Sequence, residues 1–144
     1  MNIIHFRKLE KMYLSAPTNK YYNPDIKIRK GTAEIAFTVK QDFFHGARAV
    51  HGSVYFKALD DAAYFAVSSL VTDYLLVTVS FNLHFIRPVS EGIIKAEGKV
   101  TQHGKKTSFA ESVLFDSRDR IIAKGSGTFV KSDILLAEEI GYVP

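Results

Sequence analysis

The chain has 144 residues, 47% of them hydrophobic and 24% charged, which suits one globular domain with a packed core. It contains no cysteine, so disulfides, thiolate metal sites and cysteine nucleophiles are excluded, as suits a reducing cytosol. The formal net charge is +4, but the basic residues gather only in short pairs at Arg7-Lys8, Arg29-Lys30 and Lys105-Lys106, a poor footprint for nucleic acid and one compatible with a small polyphosphate ligand or a solvated basic surface.

No apolar run approaches the ~20 residues of a membrane span, and Met1 to Lys8 lacks the long apolar region of a signal peptide. A cytoplasmic protein is expected. Residues 3 to 14 read as a short amphipathic helix with Ile4, Leu9 and Met12 on one side, ended by Ser15 to Asn19. Ala33, Ile35, Phe37 and Val39 alternate with polar residues as in a half-buried strand. Phe43 to Val50 is a glycine-bounded loop.

The stretch from His51 to Ala63 carries the most information. Gly52 opens a helix running to about Val71. At 100° per residue Lys57, Asp61, Tyr64 and Ser68 fall in one narrow polar arc and nearly everything else is apolar, so the helix is expected to be buried on most of its circumference. Asp61, inside the polar arc, is expected to be solvated. Asp60, at its edge beside Phe56 and Val67, is the carboxylate held near apolar surface, where burial raises the pKa.

Four strands follow. Val77, Val79, Phe81, Leu83 and Phe85 alternate with Thr78, Ser80, Asn82 and His84, and Arg87-Pro88 ends that run. Ile94, Ala96, Gly98 and Val100 form one face of the next strand. His103 to Lys106 is a turn, Thr107 to Asp116 a strand carrying Phe109, Val113 and Phe115, Ser117 to Asp119 a tight turn, and Ile121 to Val130 the last strand. Ser132 is placed to cap a final short helix containing Leu135, Leu136 and Ile140. Short turns force antiparallel neighbours. The expected fold is α+β, a sheet of about five antiparallel strands wrapped around one long buried helix, in a single domain over 1–144 with its core at about 33–130.

This order, with its turn-helix motif, resembles the hotdog fold, and more narrowly the PaaI-like branch of acyl-CoA thioesterases. The resemblance rests on the His51-Gly52-Ser53 turn, Asp60 nine positions after the histidine with Ala62 behind it, the strand end Phe85-Ile86-Arg87-Pro88, and the turn Gly104-Lys105-Lys106. It implies that Asp60 acts as general base or nucleophile and that the Gly52 N–H polarises the thioester carbonyl. Thr78 then steers the water. His45 stands where the family commonly has asparagine or glutamine, and Ser53 replaces a second glycine. His51, Ser53 and Tyr64 are candidates for contact with the substrate, His51 alternatively for hydrogen-bonding loop backbone, and Arg87, Lys105 and Lys106 are candidates for holding the phosphates of coenzyme A or are solvated turn residues. The resemblance implies a homodimer with shared active sites, often paired into a tetramer, no metal and no cofactor beyond the coenzyme A of the substrate. Phe43, Phe44, Tyr64 and Phe65 are candidates for the acyl pocket or for the core. Two other readings stay open: a dehydratase or hydratase of 3-hydroxyacyl thioesters, pairing His45 or His51 with Asp60, and a non-catalytic acyl-CoA binder.

Overall fold

The computed structural model describes residues 2–144. Helix α1 spans Ile3–Ser15, with the Asn2 side chain accepting the His5 N–H at its start. The residues it buries are His5, Phe6, Leu9, Glu10, Met12 and Tyr13, a stripe of i, i+4, i+7 and i+8 positions. Leu9 and Met12 are thus on the packed side as expected. Ile4 is not: it lies about 100° off the stripe and is 71% exposed. Both ring nitrogens of His5 are engaged, Nε2 with the Ser68 carbonyl at 2.8 Å and Nδ1 with the Tyr142 hydroxyl at 2.7 Å, so α1 is tied to the tail of the chain.

After the short helix α2 (Asn19–Tyr22) come the strands β1 (Asp25–Arg29) and β2 (Thr32–Thr38), paired antiparallel around Gly31, whose φ of +76° suits glycine. Strand β1 is an addition to the five strands expected. Its five residues, DIKIR, carry only two apolar positions, too little alternation to stand out in sequence. The remaining elements are helix α3 (Gly52–Ser68) and strands β3 (Tyr74–Phe85), β4 (Ile93–His103), β5 (Thr107–Phe115) and β6 (Ile121–Leu135). The sheet has six strands in the order β1-β2-β4-β5-β6-β3, all pairs antiparallel. Strand β3 is therefore an edge.

Helix α3 lies in the concave face of this sheet. Ala58, Leu59, Ala62, Ala63, Ala66 and Val67 are all essentially buried, and the small residues among them let the helix approach the strands closely. The approach is tightest at Gly98 of β4, where any Cβ would collide with the Ala62 carbonyl. Strand β5 contributes small residues for the same reason. Its helix-facing side is Ser108, Ala110, Ser112 and Leu114, all buried, and the Ser112 hydroxyl donates to the Leu59 carbonyl at 2.8 Å. Phe109, Val113 and Phe115 are on the opposite face, Phe109 being 43% exposed.

The carboxy-terminal helix expected after Ser132 is absent. Strand β6 runs on to Leu135, paired with Tyr74 of β3, and only a single 3-10 turn at Glu138–Ile140 follows. The Ser132 hydroxyl donates across to the Leu75 carbonyl at 2.6 Å instead of capping a helix. No helix among the described residues is long and apolar enough to cross a membrane.

Candidate active site

Two clusters sit two turns apart on α3. The first surrounds its start. The loop before it is closed by the His51 N–H donating to the Phe43 carbonyl at 2.8 Å and the Val50 N–H to the Val89 carbonyl at 2.9 Å. His51 is the N-cap. Its Nδ1 accepts the Ser53 N–H at 3.0 Å and lies 2.8 Å from the Ser53 hydroxyl, while its carbonyl takes the Val54 N–H. That leaves the Gly52 N–H without an acceptor among the described residues. An unpaired donor at the positive end of a helix is a place for developing negative charge.

His45 is beside it. Its Nδ1 accepts the Ala47 N–H at 3.0 Å, and its ring centroid is 6.4 Å from that of His51. With both Nδ1 atoms accepting, each neutral ring carries its proton on Nε2. His45, Gly52, Tyr55, Phe85, Arg87 and Pro88 line a cleft of about 430 Å³. The Tyr55 hydroxyl fixes one wall by donating to the Arg87 carbonyl at 2.7 Å. Phe85 stands over the helix start, and a Cβ on residue 52 would lie 2.8 Å from its ring. Glycine is therefore what permits the ring and the helix start to meet.

The second cluster is Asp60 and its neighbours. The Thr78 hydroxyl donates to Asp60 Oδ1 at 3.0 Å. Burial pushes the Asp60 carboxyl up to about 6, the Thr78 hydrogen bond opposing, the Asp61 charge adding, and Lys57 opposing. A β-bulge brings Phe81 and Leu83 to the same helix-facing side as Thr78. The register of β3 against β6 shifts between Thr78 and Ser80, so the single alternation expected along this strand is broken. Leu76 and Thr78 face the helix before it, Phe81 and Leu83 after it, while Val77 and Val79 are 42% and 57% exposed. Bulges beside active sites commonly re-aim a side chain in this way.

Tyr64, one turn beyond Asp60, is close by, but its hydroxyl is spent on the Leu76 carbonyl at 2.8 Å. On the other side of Asp60, Phe56 meets Phe81 edge-on, ring centroids 5.6 Å apart. This aromatic pair escaped the sequence analysis. Its signal was present in the i, i+4 spacing of Phe56 and Asp60, but the bulge hid which way Phe81 points.

Asp61 is not solvated. Lys57 Nζ pairs with its Oδ2 at 2.7 Å and the Tyr13 hydroxyl donates to the same oxygen at 2.6 Å, under the cover of α1. Burial pushes its carboxyl up, while the Lys57 ammonium and the Tyr13 hydroxyl pull it back. Lys57 and Asp61, in the polar arc of α3, face Tyr13 of α1 rather than water. Phe43 and Phe65 are core residues, 2% and 5% exposed. Lys105 and Lys106 line a separate cleft of about 580 Å³ with Tyr74 and Lys131, away from Arg87. Among the described residues no group of three or more His, Asp or Glu side chains gathers where it could hold a metal ion.

Known proteins resemble this chain in sequence and in fold. The thioesterase superfamily pattern matches residues 48–123, which contain the His51-Gly52 turn, Asp60 and Thr78. A Saccharolobus solfataricus protein that carries an esterase name is 29% identical over 104 residues, 72% of this chain and 69% of its own. The solved structure of the Escherichia coli PaaI protein, from the phenylacetic acid degradation operon, superposes with a TM-score of 0.84 at 20% identity over 93% of this chain and 97% of that one. A thioesterase of Haemophilus influenzae superposes with a TM-score of 0.75 at 15% identity, over 83% of this chain and 85% of that one. With its long helix held in a six-stranded antiparallel sheet, this chain belongs to the thioesterase superfamily, a family of thioester hydrolases, and has its hotdog fold.

Proposed function

We propose that this protein hydrolyses an acyl-CoA thioester to a free acid and coenzyme A. The observation that carries the proposal is a half-buried carboxylate with a raised pKa, hydrogen-bonded to Thr78, on the same helix whose start offers a free Gly52 N–H. A base whose pKa lies near 6 is ionised at neutral pH yet still basic enough to take a proton from water. In the proposed reaction Asp60 removes that proton as the water oxygen bonds to the thioester carbon, with Thr78 holding carboxylate and water in line. The Gly52 N–H, joined by His45 Nε2–H in the same cleft, stabilises the oxyanion. Collapse breaks the carbon–sulfur bond, releases the thiolate of coenzyme A, and Asp60 returns the proton to it.

Gly52 and Asp60 are eight residues apart on one helix, about 12 Å along its axis. One carbonyl cannot touch both, so each site takes its glycine from one subunit and its aspartate from another. The exposed edge strand β3, with Val77 and Val79 on its outer face, supports a homodimer built on this edge, with pairing into a tetramer as a further step. His51 and Ser53 shape the helix start that receives the thioester. Arg87, Lys105 and Lys106 are proposed to hold the phosphates of coenzyme A. The reaction needs no metal or further cofactor and is assigned to the cytoplasm.

Release of free thiol from short, medium, long and aryl acyl-CoAs tests the proposal. Turnover of at least one supports it. Binding without thiol release would replace it with an acyl-CoA binder, and formation or loss of an enoyl thioester in the ultraviolet would replace it with a dehydratase or hydratase.

A further inference from the structure

Lys57 is placed to serve either of two carboxylates. On α3 Asp60 stands three residues beyond it and Asp61 four, and both spacings bring a lysine within reach of an acid. The structure gives it to Asp61. Lys57 Nζ lies 2.7 Å from Asp61 Oδ2, with both side chains largely covered, and the Tyr13 hydroxyl donates to that same oxygen at 2.6 Å. Two donors on one carboxylate oxygen favour its ionised form. The ammonium is also held from outside its own helix. It lies 5.1 Å from the centre of the Tyr13 ring and 5.2 Å from that of Tyr22, distances at which an aromatic face attracts a cation. Helices α1, α2 and α3 thus each supply part of one hold.

Asp60 is left with a single partner. Thr78 donates to Oδ1, and Oδ2 has no hydrogen-bond partner among the described residues. Around the two carboxylates α3 brings Lys57 and Tyr64, α1 brings Tyr13 and α2 brings Tyr22. The strands bring the Thr78 hydroxyl and, among the described residues, no charge. Lys57 is therefore the cation in position to close on Asp60. A carboxylate closed by an ammonium is a weaker base and has less room for a water.

We infer that Asp61, backed by Tyr13 and Tyr22, is a positioning residue for the reaction: it keeps Lys57 off Asp60 and so leaves Asp60 Oδ2 open to the attacking water. The inference rests on the acyl-CoA hydrolysis proposed above, with Asp60 as its base. Asp61 itself touches neither substrate nor water. It acts through the lysine it holds.

The test is kcat and kcat/KM against pH, on the acyl-CoA that the wild-type protein turns over best, for the wild type, Asp61→Asn, Tyr13→Phe and the double variant Asp61→Asn with Lys57→Met, each checked for folding by circular dichroism. Asparagine keeps the shape of Asp61 but has no charge to hold the ammonium, so Lys57 turns to Asp60. The expected result for Asp61→Asn is a plateau kcat lowered about tenfold or more, with the acid limb of kcat/KM moved to lower pH, since a cation beside a carboxylate favours its ionised form. The double variant removes that cation and leaves no buried charge unpaired, so it regains the plateau and returns the limb toward the wild-type position. Tyr13→Phe takes one donor from Asp61 and moves the limb the same way by less; it decides the test if Asp61→Asn fails to fold, an unmoved limb then counting against the inference. A folded Asp61→Asn protein with the wild-type plateau and limb would overturn the inference while leaving acyl-CoA hydrolysis standing. So would a folded double variant no more active than Asp61→Asn, since Asp61 would then serve the fold alone. Absence of thiol release by the wild type would instead remove the hydrolysis and the inference together.

Discussion

Asp60 and Asp61 are neighbours in sequence with opposite surroundings. Asp61 is neutralised by Lys57 and covered by Tyr13. Asp60 has one hydrogen bond, from Thr78, and a carboxyl raised to about 6 by burial. If the ionised form of Asp60 is the working form, activity rises as pH climbs through about 6. The Thr78 bond favours that ionised form, so removing it raises the pKa further. Thr78→Val is therefore expected to move the acid limb of kcat/KM to higher pH, and an unmoved limb would mean that Thr78 does not act on Asp60. Lys57→Met should leave the charge on Asp61 without its cation. The expected cost is about 3 kcal/mol of stability in denaturant unfolding. The sequence put Asp60 near apolar surface correctly, because periodicity alone separates residues 60 and 61 by 100°. It misjudged Asp61, because no pattern within α3 says that another helix will cover it.

At the scale of elements, the packing of α3 on the sheet explains the choice of small residues in β4 and β5. Gly98 touches the helix backbone itself, which cannot move aside as a side chain tip would. Gly98→Val is expected to destabilise the fold by about 1–3 kcal/mol or more, read as a lowered denaturation midpoint with secondary structure kept at low denaturant. An unchanged midpoint would show that α3 sits farther from β4 than described. The same scale shows where sequence reading stops. The buried helix, the turns and five of the six strands follow from alternation and glycine placement. Strand β1 does not, because its charged, five-residue run pairs only at a sheet margin. The bulge after Thr78 does not either, since the residues around it read as one unbroken alternation until β6 fixes the register.

For the whole molecule, the distribution of the site matters most. The helix start and the carboxylate are too far apart in one chain to meet at one carbonyl, and the long β3 edge leaves Val79 57% exposed. A lysine on that edge opposes strand pairing between copies. Val79→Lys is expected to give a folded monomer in sedimentation with thiol release lost, whereas a monomer with full turnover would show that one chain holds a complete site.

The most direct measurement is acyl-CoA hydrolysis by Asp60→Asn beside the wild-type protein, at matched concentration and oligomeric state. Asparagine keeps the shape and the Thr78 contact but cannot accept the water proton. The account predicts that kcat falls by about 10²–10⁴ while acyl-CoA binding is kept. A folded Asp60→Asn protein that turns over at the wild-type rate would contradict it.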